Sequence, residues 1–523
     1  MADTKREIER KYESDDSGLP DLTRVPGVAA VLDKGVMNLD ATYHDTTDER
    51  LAASSVTLRR RTGGSDAGWH LKFPVAPGVR DEIRAPLSDT LPDELAALVR
   101  SRVRDSELLP VVRLRSDRDV RHLVDADGRL LAEVSVDTVR AERLTGTGGT
   151  ARWTEIEVEL ADDGDPAFLD KVEKRLRKAG VRPSASASKL ARALADTAPD
   201  GTTTAAATRT PATAPGAAPK RKHRSRPAGK PVTTGDHVLA YVRAQRDALV
   251  ELDPAVRQDV PDSVHRMRVA TRRLRSTFRT FRTVLDREVT DPVGADLKWL
   301  AAELGLDRDQ EVLAERLRSS LADLPDTLVA GPVSHRLTHW AEARHAGAHG
   351  RLTGILDSRR YLTLLDTLDA LLADPPLRKK AGTKPEKTLT KAVRKDLDKL
   401  TGLVTRALDL PPGTDRDLAL HDARKKTKRT RYAAEAAAPA LGGPADDLVK
   451  GMKALQGLLG DHQDSVMARR TLRELAAVAH AAGESAFTYG VLHAREEHRA
   501  ERVEAALPEA WTSITKDLRP WTT

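Results

Sequence analysis

The sequence predicts a two-domain protein, with an N-terminal antiparallel β-barrel of α+β type enclosing a tunnel and a C-terminal all-α domain of two related helical bundles. Residues 1–195 contain many short strand-like runs separated by turns, and residues 235–515 contain apolar residues at helical spacing. A stretch rich in Ala, Thr and Pro separates them at 196–234. A chain of 523 residues is also too long for one ordinary core, so more than one domain is expected.

The composition favours a polar globular protein with anionic partners. Charged residues make up 32% and hydrophobic residues 39%, and the net charge is +7. This balance favours partners such as polyphosphate, nucleic acid or acidic surfaces. The chain has no cysteine, which excludes disulfides and thiolate metal sites. No apolar run approaches the roughly 20 residues that span a bilayer, and the first residues lack the apolar core of a signal peptide. We therefore expect a cytoplasmic protein without membrane contact.

The N-terminal region reads as strands with a few helices. Alternation and turn residues predict strands at 6–13, 55–62, 68–74, 79–85, 110–116, 121–125, 129–139 and 152–160. Helices are predicted at 25–34, 92–103 and 166–179. Many short antiparallel strands with few helices indicate a closed or nearly closed barrel.

The segment 196–234 reads as a linker. Thr202–Ala218 is almost entirely Ala, Thr, Pro and Gly, a composition that buries too little apolar surface to become ordered. The following block, Lys220 to Arg226, is strongly cationic. We interpret this block as a solvated tail, with a polyanion-attracting arm as the alternative.

The remaining chain, 235–515, reads as helical throughout. One buried stripe at spacings of three, four or seven is formed by Met267, Leu274, Phe278, Phe281 and Leu285. Further helices are predicted at 294–323, 333–356, 360–373, 385–408, 415–438, 445–481 and 485–506. Proline and glycine predict breaks between them, including one at Pro292. This pattern favours up-and-down bundles.

The polar phase of the N-terminal strands carries charges that are largely sorted by sign. Acidic rows contain Glu7 and Glu9 (followed by Lys11), Glu133 and Asp137, and Glu155, Glu157 and Glu159. Mainly basic rows contain Arg59 and Arg61, His70 and Lys72, Arg80 and Arg84, and Arg113 and Arg115. Carboxylate oxygens suit Mg²⁺ or Mn²⁺, and Arg and Lys suit phosphate oxygens. Both kinds of row in one barrel predict a site for a linear polyphosphate with its metal.

These segments resemble the CYTH domain, the triphosphate tunnel metalloenzyme fold, over about 1–195. The resemblance rests on the ExExK signature Glu7-Ile8-Glu9-Arg10-Lys11, on Tyr43-His44-Asp45-Thr46, Leu58-Arg59-Arg60-Arg61, Leu71-Lys72, Arg113-Leu114-Arg115, Glu155-Ile156-Glu157-Val158-Glu159 and Ser188-Lys189. It implies an eight-stranded antiparallel barrel that cleaves triphosphates with Mg²⁺ or Mn²⁺. The family also includes thiamine triphosphatases and adenylyl cyclases.

The resemblance also implies roles for individual residues. Metal ligands would be Glu7, Glu9, Glu155, Glu157 and Glu159. Phosphates would be held by Arg59, Arg61, Lys72, Arg113, Arg115 and Lys189, with Lys11. Catalytic residues would be Glu7, Glu9 and Lys11, and either a carboxylate or Lys11 would orient or deprotonate the attacking water. Further candidates, equally compatible with structural ion pairs, are Arg118, Glu133 and Asp137.

A second motif occurs twice in the helical region. Cations stand 3, 7, 8 and 10 positions after His265 and again after His421, and positions 0, 3, 7 and 10 share one helical stripe of about 80°. A turn of the form Leu-Gly followed by acidic residues comes after each copy, beginning at Leu304 and at Leu459. The recurrence predicts an internal duplication. Since like charges along one stripe repel, a phosphate-binding surface explains the pattern better than two solvated basic helices.

The repeated helices resemble the CHAD domain, a conserved histidine α-helical domain, over about 235–515. The resemblance implies polyphosphate binding by His265, Arg268, Arg272, Arg273, Arg275, His421, Arg424, Lys428, Arg429 and Arg431. A metal site built from His265, His421, Asp309 and Asp464 is a less favoured interpretation, because so many cations surround the histidines. The absence of an aromatic stacking platform beside the cations argues against specific nucleic-acid binding.

The leading hypothesis is therefore a hydrolase of polyphosphate metabolism that depends on Mg²⁺ or Mn²⁺. The barrel would hydrolyse inorganic triphosphate or a related short polyphosphate, and the helical domain would bind polyphosphate. Two alternatives are a non-catalytic protein that binds or targets polyphosphate and an adenylyl cyclase.

Overall fold

The computed structural model describes residues 3–14, 18–146, 148–198, 230–345, 347–518 and 521, without the side chains of 3, 306–309, 344, 345 and 517. Two compact units divide after residue 218. The greater part of the predicted linker, 199–229, lies outside the described residues.

The first unit is a closed antiparallel barrel of eight strands. The strands are β1 (Asp3–Ser14), β2 (Ala30–Asp45), β3 (Thr57–Thr62), β4 (Gly68–Ala76), β5 (Val79–Pro86), β6 (Leu109–Val124), β7 (Leu130–Arg143) and β8 (Thr150–Leu160). They follow one another around the barrel in the order β1-β5-β4-β3-β2-β6-β7-β8. The predicted barrel is thereby confirmed.

On β3, β4, β5 and β8, strand alternation puts charge inside this barrel and apolar residues outside. The helices of this unit are α1 (Arg50–Ala53), α2 (Asp93–Val103), α3 (Ala167–Lys178) and α4 (Lys189–Asp196). Leu58, Leu71 and Ile83 form one hydrophobic cluster with residues of α2, and Ile156 and Val158 form another with residues of α3. Because both helices cover apolar strand phases from outside, the charged phases face inward.

The predicted helix at 25–34 is wrong, because β2 begins at Ala30. The inward phase of β2 is apolar and includes Met37, Ala41 and Tyr43, so this strand does not show the charge alternation of its neighbours. The predicted gap between strands at 117–120 is also wrong. Residues 109–124 form one strand, and residues 117–120 pair with β2 on one side and β7 on the other. Its central Arg118 faces inward and binds Asp137 of β7.

The second unit is all helical. Its helices are α5 (Thr234–Arg257), α6 (Ser263–Thr280), α7 (Arg287–Glu303), α8 (Gly305–Ala322), α9 (Val333–His345), α10 (Ala348–Asp357), α11 (Arg359–Ala373), α12 (Pro385–Asp409), α13 (Thr414–Leu441), α14 (Gly443–Ala481) and α15 (Phe487–Asp517). A large hydrophobic cluster joins α5–α7 to α10–α14, and a smaller one joins α8 and α9 to the second half of α14. The all-α prediction is confirmed.

The predicted break at Pro292 is wrong, since Pro292 lies inside α7. The hydrogen bond that its missing N–H removes would go to the carbonyl of Glu288, close to the start of the helix. The predicted helices 294–323 and 333–356 are each divided in two, near residues 304 and 346. Across the described ranges, no helix has both the length and the apolar character to cross a bilayer.

Candidate functional site

The inward strand phases surround a cavity of about 350 Å³, which we call the tunnel. Nine of the predicted site residues line it together: Glu7, Glu9, Lys11, Arg59, Arg61, Lys72, Glu157, Glu159 and Lys189. Strand register explains the grouping. Cross-strand partners in an antiparallel ladder share a face, and Glu9 lies opposite Glu159 while Lys11 lies opposite Glu157.

The two charge signs occupy different walls of the tunnel. Carboxylates line the wall formed by β1, β7 and β8, and cations predominate on the wall formed by β3, β4 and β5. Ion pairs connect the walls. Lys72 of β4 binds Glu7 of β1, while within the acidic wall Lys11 binds Glu157 and lies 3.1 Å from Glu9. Each carboxylate named here therefore has a cationic neighbour.

The pKa values of Glu7 and Lys11 are both raised, with different consequences for the charges of the two side chains near neutral pH. Burial, with Glu82 and Glu159 nearby, raises the pKa of Glu7 to about 7, against the pull of Lys72. Burial alone would lower the pKa of Lys11, but its neighbouring carboxylates outweigh it and raise that pKa above the usual value. Near neutral pH, Glu7 can therefore exchange a proton, whereas Lys11 stays charged.

The basic wall contains supporting residues that we did not assign to the site from sequence. Arg59 donates to the hydroxyl of Tyr43 at 3.3 Å. Glu82, fully buried, lies 3.8 Å from the Arg59 guanidinium and 2.8 Å from a ring nitrogen of His70. Burial, together with neighbouring Arg59, lowers the pKa of Arg61 to about 10. This wall therefore contains more positive charge than its own carboxylates neutralise, which favours an anionic ligand.

Lys189 enters the barrel from α4 and occupies a carboxylate cage. Its ammonium lies 2.9, 2.8 and 2.5 Å from oxygens of Asp137, Glu155 and Glu157. Glu155 also accepts a hydrogen bond from the indole of Trp153 at 2.6 Å. Glu155 does not line the tunnel, and Lys189 is its cation in this structure, so its metal role stays a prediction. Lys189 itself lines the tunnel, with its charge committed to these carboxylates.

The predicted phosphate ligands Arg113 and Arg115 do not line the tunnel. Both have the outward phase of β6, where Arg113 binds Asp40 at 2.5 Å and Arg115 approaches it to 3.6 Å. The inward phase of this strand presents Arg118 instead. Arg118 makes two hydrogen bonds to Asp137, at 2.7 and 2.8 Å, and one to Glu157 at 2.7 Å. Phase alone could not reveal which face of this strand was internal.

The acidic wall has the chemistry of a divalent-metal site. Carboxylate oxygens are the ligands that Mg²⁺ and Mn²⁺ prefer. Among the described residues, one compact group of acidic side chains in the barrel comprises Asp137, Glu155 and Glu157, which already bind Lys189, Arg118 and Lys11. The carboxylates nearer the tunnel space are Glu7, Glu9 and Glu159. These three, with Glu157, fit a metal held beside a phosphate.

The helical unit brings the two signature helices, α6 and α13, together at a cluster of like charges. Lys428 of α13 is 7% exposed and has Arg268, Arg272 and Arg424 as cationic neighbours, with Asp464 as an acidic one. The pKa of Lys428 is lowered to about 6, mainly by burial and next by the positive charge of Arg272. We call these four cations the central cluster.

Glycines of the repeated Leu-Gly motif allow two of these arginines to approach, although the second copy lies inside α14 and is not the predicted turn. A Cβ placed on Gly305 would lie 2.8 Å from the Arg268 guanidinium, and one on Gly460 would lie 3.8 Å from that of Arg424. In each copy, the glycine of the Leu-Gly motif therefore packs against the arginine that lies three positions after the signature histidine. Because glycine has no side chain, it leaves room for the guanidinium of that arginine.

The remaining predicted ligands of α6 and α13 are divided among different neighbours. Arg273 and Arg431 bind Glu435, and Arg429 binds Asp396. Arg275 lies among Arg272, Arg279 and Arg429, and burial and these charges lower its pKa. Neither His265 nor His421 belongs to a described acidic group suited to a metal, and the side chain of Asp309 lies outside the description.

Comparison with known proteins identifies the family. The CYTH domain matches residues 5–194, and the CHAD domain matches residues 240–473. The uncharacterized protein Rv2226 of Mycobacterium tuberculosis is 37% identical over 529 residues, which cover 98% of this chain and 97% of that protein. The chain belongs to the CYTH–CHAD family. The suspected pair of domains is thereby confirmed.

Solved structures similar to this CYTH–CHAD chain cover just over half of it. PptA from Streptomyces chartreusis has 24% identity and a TM-score of 0.46, with 54% of this chain and 99% of that chain covered. The CHAD domain from the plant Ricinus communis has 27% identity and a TM-score of 0.42, with 56% and 97% covered. CYTH domains are metal-dependent, and their members are triphosphatases or cyclases.

Proposed function

We propose that this CYTH–CHAD protein hydrolyses inorganic triphosphate, or a related short polyphosphate, in its barrel with Mg²⁺ or Mn²⁺. The observation that carries the proposal is the tunnel with carboxylates on one wall and an excess of cations on the other. A linear triphosphate needs both, since its oxygens bind cations directly and bind carboxylates only through a metal.

The residues of the tunnel have separable roles in this reaction. Arg59, Arg61 and Lys72 bind and orient the phosphates from the basic wall. Glu7, Glu9, Glu157 and Glu159 hold the metal, which when bound would neutralise charge on the phosphoryl oxygens. The sequence leaves either a carboxylate or Lys11 as the base that deprotonates the attacking water. A carboxylate is favoured, because the raised pKa of Lys11 keeps its amine protonated.

We also propose that the helical domain binds polyphosphate through the central cluster and its neighbouring cations. The support is the buried Lys428 among arginines, a surrounding that favours a polyanion. Long inorganic polyphosphate is the expected partner, with no sequence-specific nucleic-acid recognition.

The proposed activity of the barrel is tested by measuring phosphate release by the full chain. The substrates are tripolyphosphate, thiamine triphosphate and ATP, and the products are identified. We expect activity with Mg²⁺ or Mn²⁺, and we expect Glu7→Gln with Glu9→Gln to reduce it at least about 100-fold, because the variant no longer stabilises the charge of a transferring phosphoryl group through the metal. The matched control is Arg113→Gln with Arg115→Gln, on the outer face, which should keep normal activity.

Three outcomes would contradict the proposal. Full activity in the Glu7 and Glu9 variant would show that the tunnel is not the site. No metal-dependent release from any substrate would support a binding protein without turnover. Cyclic AMP and pyrophosphate from ATP would show a cyclase.

A further inference from the structure

The duplicated helices α6 and α13 are matched in position but differ in charge at their C-terminal ends. The offset of 156 residues that separates His265 from His421 also separates Arg279 from Glu435. The same position of the repeat therefore carries a cation in one copy and a carboxylate in the other. This difference breaks the symmetry of the proposed polyphosphate site.

At the α13 end, Glu435 neutralises the local cations. Its carboxylate lies 3.0 Å from Arg273 and 3.3 Å from Arg431, and it accepts a hydrogen bond from the hydroxyl of Tyr241 at 3.0 Å. Arg273 and Arg431 also lie against the ring of Tyr432. The cations at this end already have a counter-charge and packed positions.

At the α6 end, the corresponding carboxylate is missing and cations accumulate. Arg279 adds to the positive surroundings of both Arg275 and Arg429, and burial with these charges lowers the pKa of each. Arg282 follows in the turn after α6 and also faces Arg429. Within the described ranges, Arg275, Arg279 and Arg282 make no ion pair with a carboxylate.

Asp396, the acid that binds Arg429 at this end, is already engaged. Asp396 is 4% exposed, binds Lys426 and Arg429, and accepts a hydrogen bond from Thr280 at 2.6 Å. Asp396 therefore does not neutralise Arg279 and Arg282. Both arginines are exposed to solvent and belong to a row of cations without carboxylate partners. Repulsion within such a row disfavours it without an anion.

We infer that polyphosphate leaves the central cluster at the α6 end only, along a row formed by Arg275, Arg279 and Arg282, while Glu435 closes the α13 end. The inference rests on the proposed polyphosphate binding by the helical domain. From Arg268 in the central cluster to Arg279 in the row, the helix advances roughly 16 Å at 1.5 Å per residue. Tripolyphosphate is shorter than this span, so the additional cations favour longer chains.

The test is equilibrium binding of long-chain polyphosphate and of tripolyphosphate to the full protein in EDTA, where the metal-dependent hydrolysis is absent. Arg279→Gln with Arg282→Gln should weaken long-chain binding about fivefold at low salt, and lower the slope of log Kd against log salt by about 0.7 for each phosphate that the variant no longer neutralises. Tripolyphosphate binding should not change. Glu435→Gln should strengthen long-chain binding, because Arg273 and Arg431 become available.

The matched control is Arg470→Gln with Arg473→Gln, two exposed arginines that are also three residues apart on a helix. They lie on α14 where it belongs to the smaller hydrophobic cluster. Arg272→Gln with Lys428→Gln, in the central cluster, reports on the proposed function itself and should weaken binding of both ligands.

The outcomes separate the two claims. If the central variant weakens binding but Arg279→Gln with Arg282→Gln behaves like the control, the row is wrong and polyphosphate binding by the domain stands. An equal loss of affinity for tripolyphosphate and long chains would also overturn the row. If wild type and the central variant bind long chains equally, or neither binds, the proposed function fails.

Discussion

Lys189 of the barrel and Lys428 of the helical domain are buried almost equally, at 8% and 7% exposed, in opposite electrostatic surroundings. Three carboxylates surround Lys189 and raise its pKa although burial alone would lower it. Arginines surround Lys428, and burial with these charges lowers its pKa to about 6. The barrel therefore contains both charge signs needed for a metal and a phosphate, whereas Lys428 lies among three arginines with Asp464 as an acidic neighbour.

The largest effect expected from this comparison is on barrel stability. Lys189→Met should lower the free energy of unfolding of the barrel by about 3–5 kcal/mol, because buried Glu155 loses its cation and Asp137 and Glu157 keep only Arg118 and Lys11. Chemical denaturation followed by near-UV circular dichroism measures it. Adding Mg²⁺ or Mn²⁺ should restore part of this stability, since the three carboxylates form a group suited to a cation.

Lys178→Met, at an exposed lysine of α3, is the control and should unfold like wild type. An unchanged midpoint for Lys189→Met would show that the cage does not depend on its lysine. The contrast with Lys428 would then disappear.

A smaller effect is expected on the pH dependence of polyphosphate binding. The folded pKa of Lys428, about 6, lies below its unfolded value of 10.5, so the free protein loses this charge as pH rises through 6. A polyanion favours the ammonium, so binding takes up a proton and affinity should fall by up to about tenfold per pH unit above 6. Lys428→Arg keeps its charge and should flatten this profile between pH 6 and 8.

Isothermal titration at pH 6, 7 and 8 in buffers of different ionisation enthalpy checks the proton uptake directly. Lys425→Arg, at an exposed lysine of the same helix, is the matched control and should keep the wild-type profile. Parallel profiles for wild type and Lys428→Arg would show that Lys428 does not titrate with binding. The same linkage predicts that Lys428 reduces the stability of the free protein most below pH 6, because stability from a depressed lysine pKa is lost as pH falls through the folded pKa.

Much of the barrel site was predictable because period-two alternation sorts charge by face. This signal places Glu7 with Glu9, and Glu157 with Glu159, in acidic rows, and all four line one tunnel. The same rule failed for β2, whose inward phase is apolar, and for Arg113, which lies outside. Alternation identifies two faces of a strand, and only register with its neighbours shows which face is internal.

In the helical domain, the repeat predicted the cations but not their counter-charges. The spacing after each histidine placed Arg268 with Arg272 on one stripe and Arg424 with Lys428 on another, and the structure brings these two stripes together. Which arginines are already neutralised depends on Asp396 and Glu435, whose relation to Arg429 and Arg273 is set by helix packing. Local sequence spacing contains no information on such packing between helices.

The smallest expected effect compares the glycines of the two repeats. At Gly460, inside α14, a methyl group fits at 3.8 Å from Arg424, so Gly460→Ala should raise stability by about 0.8–1.0 kcal/mol through helix propensity and leave polyphosphate affinity unchanged. At Gly305, the first residue of α8, the methyl group would meet Arg268 at 2.8 Å and displace it from the central cluster. Gly305→Ala should therefore weaken polyphosphate binding severalfold, since one fewer cation reaches the phosphates. Thermal unfolding and binding of both variants measure the difference. Equal polyphosphate binding by the two variants would contradict this prediction. It would show that the Arg268 guanidinium can move away from residue 305 and still reach the ligand.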